Sequence, residues 1–177
     1  MSRMLSRWIA GLAYPGRKAR TNTRPLSVMQ LECREVPTGL AGIGSGLVAQ
    51  YYSDANLSTL VGSRVDAGVN FDWGTGSPLA ALPADNFSAR WVGKVQAQQS
   101  ETYTFFTAAD EGVRLKVGGQ VLVDAWNNAI PVERAATIAL RAGEVYDLEL
   151  EYVDRVGAAR VQLSWSSPST PRAVVPA

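Results

Sequence analysis

The clearest structural signal in the chain is the sequence GVRLKVGGQVLVDA at residues 112–125. Before the glycine pair, apolar residues alternate with charged ones, which is the two-residue period of a strand with one buried face. Gly118-Gly119 tolerates the positive φ angles of a two-residue hairpin turn, and the alternation resumes after it. The pattern predicts a β-hairpin. Its inward-facing residues are predicted to be Val113, Leu115, Val117, Val121, Val123 and Ala125.

The same alternation continues on both sides of this hairpin. Residues 146–152 place Tyr and Leu on one face and acidic residues on the other, and residues 161–165 repeat the pattern with Val, Leu and Trp. Short strands separated by Gly, Pro and Asn predict an all-β protein, an antiparallel sandwich or barrel. Weaker strand patterns lie at Leu47–Tyr52, Ala89–Val95, Glu101–Ala108 and Ala135–Leu140.

The composition excludes several kinds of chemistry. The 177 residues are 46% hydrophobic, which is enough for one domain with a sizeable core. Seventeen basic and sixteen acidic residues leave a net charge of +1, so nothing favours a nucleic-acid or anionic-membrane partner. There is no histidine, and Cys33 is the single cysteine. Imidazole-dependent catalysis, intrachain disulfides and cysteine zinc clusters are therefore excluded, and carboxylates or oxygen-ligated metals remain.

The two ends of the chain differ from its middle. Residues 1–40 carry seven Lys or Arg and two Glu, without a sustained apolar period. We predict a disordered basic leader at residues 1–45, a β-sandwich at residues 46–167 and a flexible tail at residues 168–177.

The leader gives an atypical export signal. Its apolar run at residues 8–13 is shorter than the roughly 7–15 residues of a secretory signal, and no run reaches the ~18 residues of a transmembrane segment. Residues 26–38 resemble a short leader that precedes many large bacterial surface proteins, which implies a secreted or cell-surface location. An unstructured tail without a sorting role is the alternative.

Seven segments form an ordered series at residues 46–52, 70–78, 82–93, 101–105, 110–115, 142–152 and 161–165. Together these segments resemble the protective-antigen (PA14) domain family. The resemblance covers about residues 46–167 and implies a two-sheet β-sandwich, usually an extracellular carbohydrate-binding or adhesive module attached to glycosidases, adhesins or toxins. Alternation alone indicates only the β-sandwich class.

The resemblance also implies a calcium site. In sugar-binding members of the family, two adjacent acids joined by a cis peptide bond begin the calcium shell, and Asp110 and Glu111 match them. Calcium takes about 6–8 oxygen ligands, so vicinal sugar hydroxyls can complete such a shell. Glu111 departs from the Asp that calcium-binding members carry there, and its side chain is one methylene longer.

A second loop completes the implied site. Asp154 stands where the family has an amide ligand, the Val156 carbonyl matches the main-chain ligand, and Ala158 replaces a sugar-contacting aromatic residue. Trp126, in a loop beside this position, is the ring most suited to stack on a sugar. The implied calcium ligands are thus Asp110, Glu111, Asp154 and Val156, and Trp126 joins them in the glycan site.

Structural interpretations of these residues remain open. Acidic turn residues are common in hairpins for backbone reasons, and Arg155 could neutralise the acids without a metal. Trp73 and Trp91 could stack on sugars, but burial in the core is the favoured interpretation, and Trp165 is predicted to lie in the core.

Three functions follow from this sequence. The leading prediction is a non-catalytic, calcium-dependent module that binds a glycan or a cell-surface polysaccharide. The alternative is a structural or protein-interaction module that contacts other surface-protein domains without binding sugar. A glycosidase is disfavoured, because it needs two carboxyl groups about 5–5.5 Å or about 6.5–9.5 Å apart across a sugar, whereas Asp110 and Glu111 are chain neighbours.

Overall fold

A computed structural model describes residue 44 and residues 46–176. This part of the chain contains eleven β-strands and no helix, so the all-β prediction is confirmed. The strands are β1 Leu47–Tyr52, β2 Leu60–Asp66, β3 Asn70–Gly74, β4 Phe87–Gln96, β5 Glu101–Ala109, β6 Gly112–Val117, β7 Gln120–Ala125, β8 Val132–Leu140, β9 Val145–Asp154, β10 Ala159–Ser167 and β11 Thr170–Val174.

The strands form two antiparallel sheets, as expected for a sandwich. The first sheet has the order β2-β1-β4-β9-β6-β7. The second has the order β11-β10-β5-β8, and β3 also pairs with β10. The inward faces of both sheets supply one apolar core. Its largest fully buried side chains are Trp91, Tyr51, Tyr103, Tyr152, Phe87, Phe105, Leu47, Leu115, Leu140, Leu148, Leu150 and Leu163.

The predicted hairpin is strands β6 and β7. Gly118 and Gly119 both have positive φ, 56° and 77°, so the glycines are required by the turn. The prediction for Val121 is wrong, since this residue is 55% exposed. The register shifts between Leu115 and Lys116, which adds a residue to β7 and turns Val121 away from the core.

Two of the predicted core tryptophans are buried, and one of them has a polar partner. Trp91 and Trp165 lie in the core, as expected, while Trp73 is half-buried and stacks on Phe71. The indole N–H of Trp91 donates to Asp66 at 2.9 Å, and the hydroxyl of Tyr51 donates to the same carboxylate oxygen at 2.8 Å. These hydrogen bonds satisfy polar atoms that would otherwise be costly to bury.

The β-sandwich extends beyond residue 167, where the sequence predicts that it ends. Residues 168–177 were expected to form a flexible tail, but Thr170–Val174 form β11 on the edge of the second sheet, and Val175 is buried. Strand β11 contains Pro171 and lacks a regular alternation, so the sequence signal for it is weak.

The predicted leader lies almost wholly outside the described residues, and Cys33 lies there too. The described residues contain no helix that could cross a membrane.

Candidate functional site

The two acidic segments predicted from the sequence lie at one end of the sandwich. Asp110 and Glu111 form the turn between β5 and β6, and Asp154 is the last residue of β9. Strand β9 pairs with β6 on one side, with Gly112 opposite Val153, and with β4 on the other. This pairing brings the two segments together, and we call residues 110–111 and 154–158 the rim.

Asp110 is buried and fully engaged in hydrogen bonds. Its Oδ1 accepts from the Tyr152 hydroxyl at 2.8 Å, and its Oδ2 accepts from the backbone N–H of Arg160 at 2.8 Å. Burial, together with the hydrogen bond to this carboxylate, raises the pKa of Tyr152 well above its usual value. Asp110 therefore connects three strands at the rim.

The peptide bond between Asp110 and Glu111 is trans, which corrects the cis bond expected from the family resemblance. The side chains of Asp110 and Glu111 contact different partners. Asp110 contacts Tyr152 and Arg160, whereas Glu111 contacts Arg155.

Glu111 joins the first segment of the rim to the second. Its Oε2 accepts from the backbone N–H of Arg155 at 2.6 Å, and Nη1 of the same arginine lies 3.6 Å away. Nη2 of Arg155 donates to the Trp126 carbonyl at 2.9 Å. Glu111, Arg155 and the Trp126 backbone thus form one connected group.

Asp154 is the exceptional residue of the rim. It is 0% exposed, and neither of its carboxylate oxygens has a hydrogen-bond partner. Burial, followed by the charges of Asp110, Glu111 and Asp85, raises the pKa of Asp154 to about 7. A buried carboxylate without a donor is costly, so this position suits a cation or a proton.

Asp85 belongs to this acidic group and was missed in the sequence. It precedes β4, whose first residue, Phe87, pairs with Asp154. Its Oδ1 accepts from the backbone N–H of Gly157 at 2.7 Å, and Gly157 has a φ of +100°. The signal that could have identified Asp85 is its place just before a strand in the family-like segment, but only strand pairing puts it beside the second loop.

The remaining predicted residues lie around these acids. The Val156 side chain is 71% exposed, and Ala158 is also exposed. Trp126 is half-buried, and the Arg114 guanidinium carbon lies 4.3 Å from the centroid of its ring. This cation–π contact occupies one face of the indole.

The rim has the donor type that calcium prefers, and it has one free buried carboxylate. Carboxylate and carbonyl oxygens are the usual calcium ligands, and the bare oxygens of Asp154 fit a cation. In the described part of the chain, however, no group of three or more His, Cys, Asp and Glu side chains converges in a way that could hold a metal ion.

Comparisons with known proteins agree with the β-sandwich fold and identify related proteins. The chain is 40% identical over 157 residues to the anti-sigma-I factor RsgI3 of Acetivibrio thermocellus, which covers 89% of this chain and 23% of that protein. The chain thus spans about a quarter of this relative. A solved anti-sigma factor domain-containing protein has a TM-score of 0.73 and 41% identity, over 75% of this chain and 46% of that one.

A more distant structure shares the fold alone. The epithelial adhesin 9 A domain of Candida glabrata, solved in complex with Galβ1-4GlcNAc, has a TM-score of 0.57 and 16% identity, over 72% of this chain and 84% of that one. The model of the PA14 domain family matches residues 44–177, which include all eleven strands. This chain belongs to the PA14 domain family.

Proposed function

We propose that this PA14 domain is a non-catalytic, extracellular carbohydrate-binding module whose rim binds a glycan with the help of calcium. The observation that carries the proposal is Asp154, a fully buried carboxylate whose two oxygens have no partner. Burial and then three further acids raise its pKa, so the rim concentrates negative charge around a carboxylate that has no hydrogen-bond donor. A cation would stabilise this arrangement.

The residues that would hold calcium are Asp154, Glu111 and the Val156 carbonyl. Asp110 would act mainly by shaping the rim, since both of its oxygens already accept hydrogen bonds. When bound, calcium supplies positive charge and open coordination positions for vicinal sugar hydroxyls. Among the described residues, the acidic side chains do not converge on a common point that could hold a metal ion. Calcium binding therefore requires Glu111 to rotate away from Arg155.

The comparisons support a recognition role in a larger protein. An adhesin domain with the same fold was solved with a disaccharide, and the chain spans 23% of a related anti-sigma factor. We extend this to a glycan or cell-surface polysaccharide as the ligand, with the domain secreted or displayed on a bacterial surface and attached to other surface-protein domains.

The absence of catalysis is part of the proposal. Asp110 and Glu111 are adjacent in the chain and are tied to Tyr152, Arg160 and Arg155, so no sugar can lie between them. A panel of chromogenic glycosides should give no turnover above the buffer rate. Turnover that is lost in a Glu111→Gln variant would contradict this part of the proposal.

The test compares glycan binding and thermal unfolding in calcium and in EDTA. The native domain should bind members of a glycan array only with calcium, and calcium should raise its Tm. Asp154→Asn, which keeps the side-chain size, should abolish both effects. Asp147→Asn is the matched control, because Asp147 lies on the same strand and its exposed side chain bonds to Lys94, outside the rim. A blank array with calcium present would overturn the proposal.

A second candidate is a structural or protein-interaction module that binds no sugar. Arg155 favours it, since its backbone and guanidinium already contact Glu111, and Ala158 offers no ring for a sugar. This candidate predicts an unchanged Tm upon calcium addition, a blank array and normal folding. The same two measurements therefore separate the candidates.

A further inference from the structure

A polar groove lies beside the rim, at the open side of the sandwich between β7 and β8. It has a volume of about 470 Å³. The end of β7, the loop that follows and one residue of β8 form its walls. The lining residues are Asp124, Ala125, Trp126, Asn127, Asn128 and Arg134.

Arg134 is the one basic residue that lines this groove. It lies on β8 opposite Thr107, which is fully buried on β5, so its side chain starts on the inner side of the sheet. The Nε atom of Arg134 is buried and has no hydrogen-bond acceptor, and the residue forms no salt bridge with any described acid. An unpaired, buried donor on a charged group is costly, and a carboxylate is its best partner.

The other walls suit a sugar ring. Asn127 and Asn128 supply amides for hydroxyl groups, and the Asn128 amide nitrogen donates to the Ile130 carbonyl at 2.5 Å. Trp126 also lines the wall, and Asp124 is the one acid of the lining. Asp124 lies opposite Arg114 in the β6–β7 register, so a basic neighbour offsets its charge.

A hydrogen bond connects the groove wall to the rim. The Trp126 carbonyl accepts from Nη2 of Arg155, and the backbone of Arg155 donates to Glu111. One residue of the groove wall is therefore two contacts from the acids of the rim. A saccharide of a few units that is bound at the rim could extend along this wall.

We propose that the groove is a second saccharide subsite that selects an acidic sugar, with Arg134 pairing with the carboxylate of a uronic acid unit. Arginine binds carboxylates through two parallel hydrogen bonds, which orients the sugar as well as holding it. That the ligand is a saccharide rests on the proposed function. The preference for a carboxylate rests on the unpaired Arg134.

The test uses two probes with the same sugar backbone, an oligogalacturonate and its uncharged methyl ester. Calorimetry with the calcium-loaded domain should show at least tenfold tighter binding of the acid, which corresponds to about 1.4 kcal/mol. Arg134→Gln should remove this preference while the methyl ester binds as before, and Arg134→Lys should retain part of it. Arg141→Gln is the control, because Arg141 lies in an exposed loop.

Three outcomes are informative. Equal binding of both probes by the native domain, with calcium-dependent binding intact, would overturn this inference and leave the proposed function standing. If neither probe binds and the glycan array is also blank, both this inference and the proposed function are overturned.

Arg134 could also satisfy its Nε–H by rotating to the Thr107 hydroxyl, which has no partner either. In that case Thr107→Val would lower stability and Arg134→Gln would leave the preference unchanged, which would also overturn the subsite.

Discussion

The backbone N–H of Arg155 donates to Oε2 of Glu111 at 2.6 Å, across 44 residues of sequence. This bond joins the turn between β5 and β6 to the loop after β9, so one side chain holds both acidic segments of the rim. Glu111 therefore has a structural role in the metal-free domain.

We expect Glu111→Gln and Glu111→Ala to differ in stability. Glutamine retains an oxygen that can accept from Arg155, whereas alanine leaves the N–H without its acceptor and should cost about 1–3 kcal/mol. Chemical denaturation measures the difference, and amide hydrogen exchange at Arg155 reports the bond directly. Equal stability of the two variants would show that the bond contributes little.

Asp154 should make the metal-free domain less stable as the pH rises. Its pKa is about 7 in the folded state and 3.8 in its ordinary environment, so between pH 4 and 7 the folded state binds more protons than the unfolded state. Stability should therefore fall with rising pH across this range, by about 4 kcal/mol at most, at 1.36 kcal/mol per pKa unit.

Urea denaturation in EDTA at several pH values measures this effect. Asp154→Asn should flatten the profile and stabilise the metal-free domain near pH 7, while Asp147→Asn should leave the slope unchanged. A native profile without a slope between pH 4 and 7 would contradict the raised pKa of Asp154.

Asp85 should influence the rim in two separable ways. It adds negative charge near Asp154 and accepts from the Gly157 N–H at 2.7 Å. Asp85→Asn removes the charge but keeps an acceptor, so it should lower the pKa of Asp154, as followed by carboxyl NMR titration. Asp85→Ala should also loosen residues 155–158 and weaken glycan binding more than Asp85→Asn does. If both variants bind glycan like the native domain, Asp85 does not position the loop.

Glu151 should be far more important for stability than its neighbour Glu149. Although it lies on the outer face of the first sheet, Glu151 is 2% exposed, and it pairs with Arg90 at 2.6 Å and Arg114 at 2.7 Å. Glu151→Ala would leave two partly buried cations unpaired, and we expect a loss of about 2–4 kcal/mol.

Glu149→Ala is the control for this prediction. It removes one ion pair, with Lys116, that is partly exposed, and should cost less than about 1 kcal/mol. Both values come from denaturation curves. Similar small losses for the two variants would show that solvent screens the Glu151 pairs as well.

Gly112 should tolerate no side chain. A Cβ atom there would lie 2.5 Å from Val153 Cγ1 and nearer still to the Trp126 carbonyl oxygen. Gly112→Ala should therefore push the Trp126 loop away from the rim and lower the Tm by several degrees. It should also break the hydrogen bond from Arg155 to the Trp126 carbonyl. Gly119→Ala is the control, since it meets no atom within 4 Å and should cost only about 1 kcal/mol through its φ of +77°. An equal Tm for the two variants would refute the steric argument.

Local patterns were sufficient to predict the strands that have one buried and one exposed face. The alternation around Leu115 and Leu150 identified β6 and β9, because the side-chain period of a strand is fixed by its backbone. Strands β2 and β11 gave no such signal, since both are edge strands with mostly exposed side chains. Their existence depends on pairing with β1 and β10, which is not a local property.

The amino-acid sequence thus determined the fold class, the lack of imidazole or thiol chemistry in the domain, and the identity of the acids Asp110, Glu111 and Asp154. Tertiary structure decided which of those acids are already paired, since burial and hydrogen-bond partners arise only when strands distant in sequence meet. It joined Glu111 to Arg155, brought Asp85 to the rim and left Asp154 without a donor. The same pairing of β5 with β8 placed an unpaired Arg134 in a groove that no linear motif reveals.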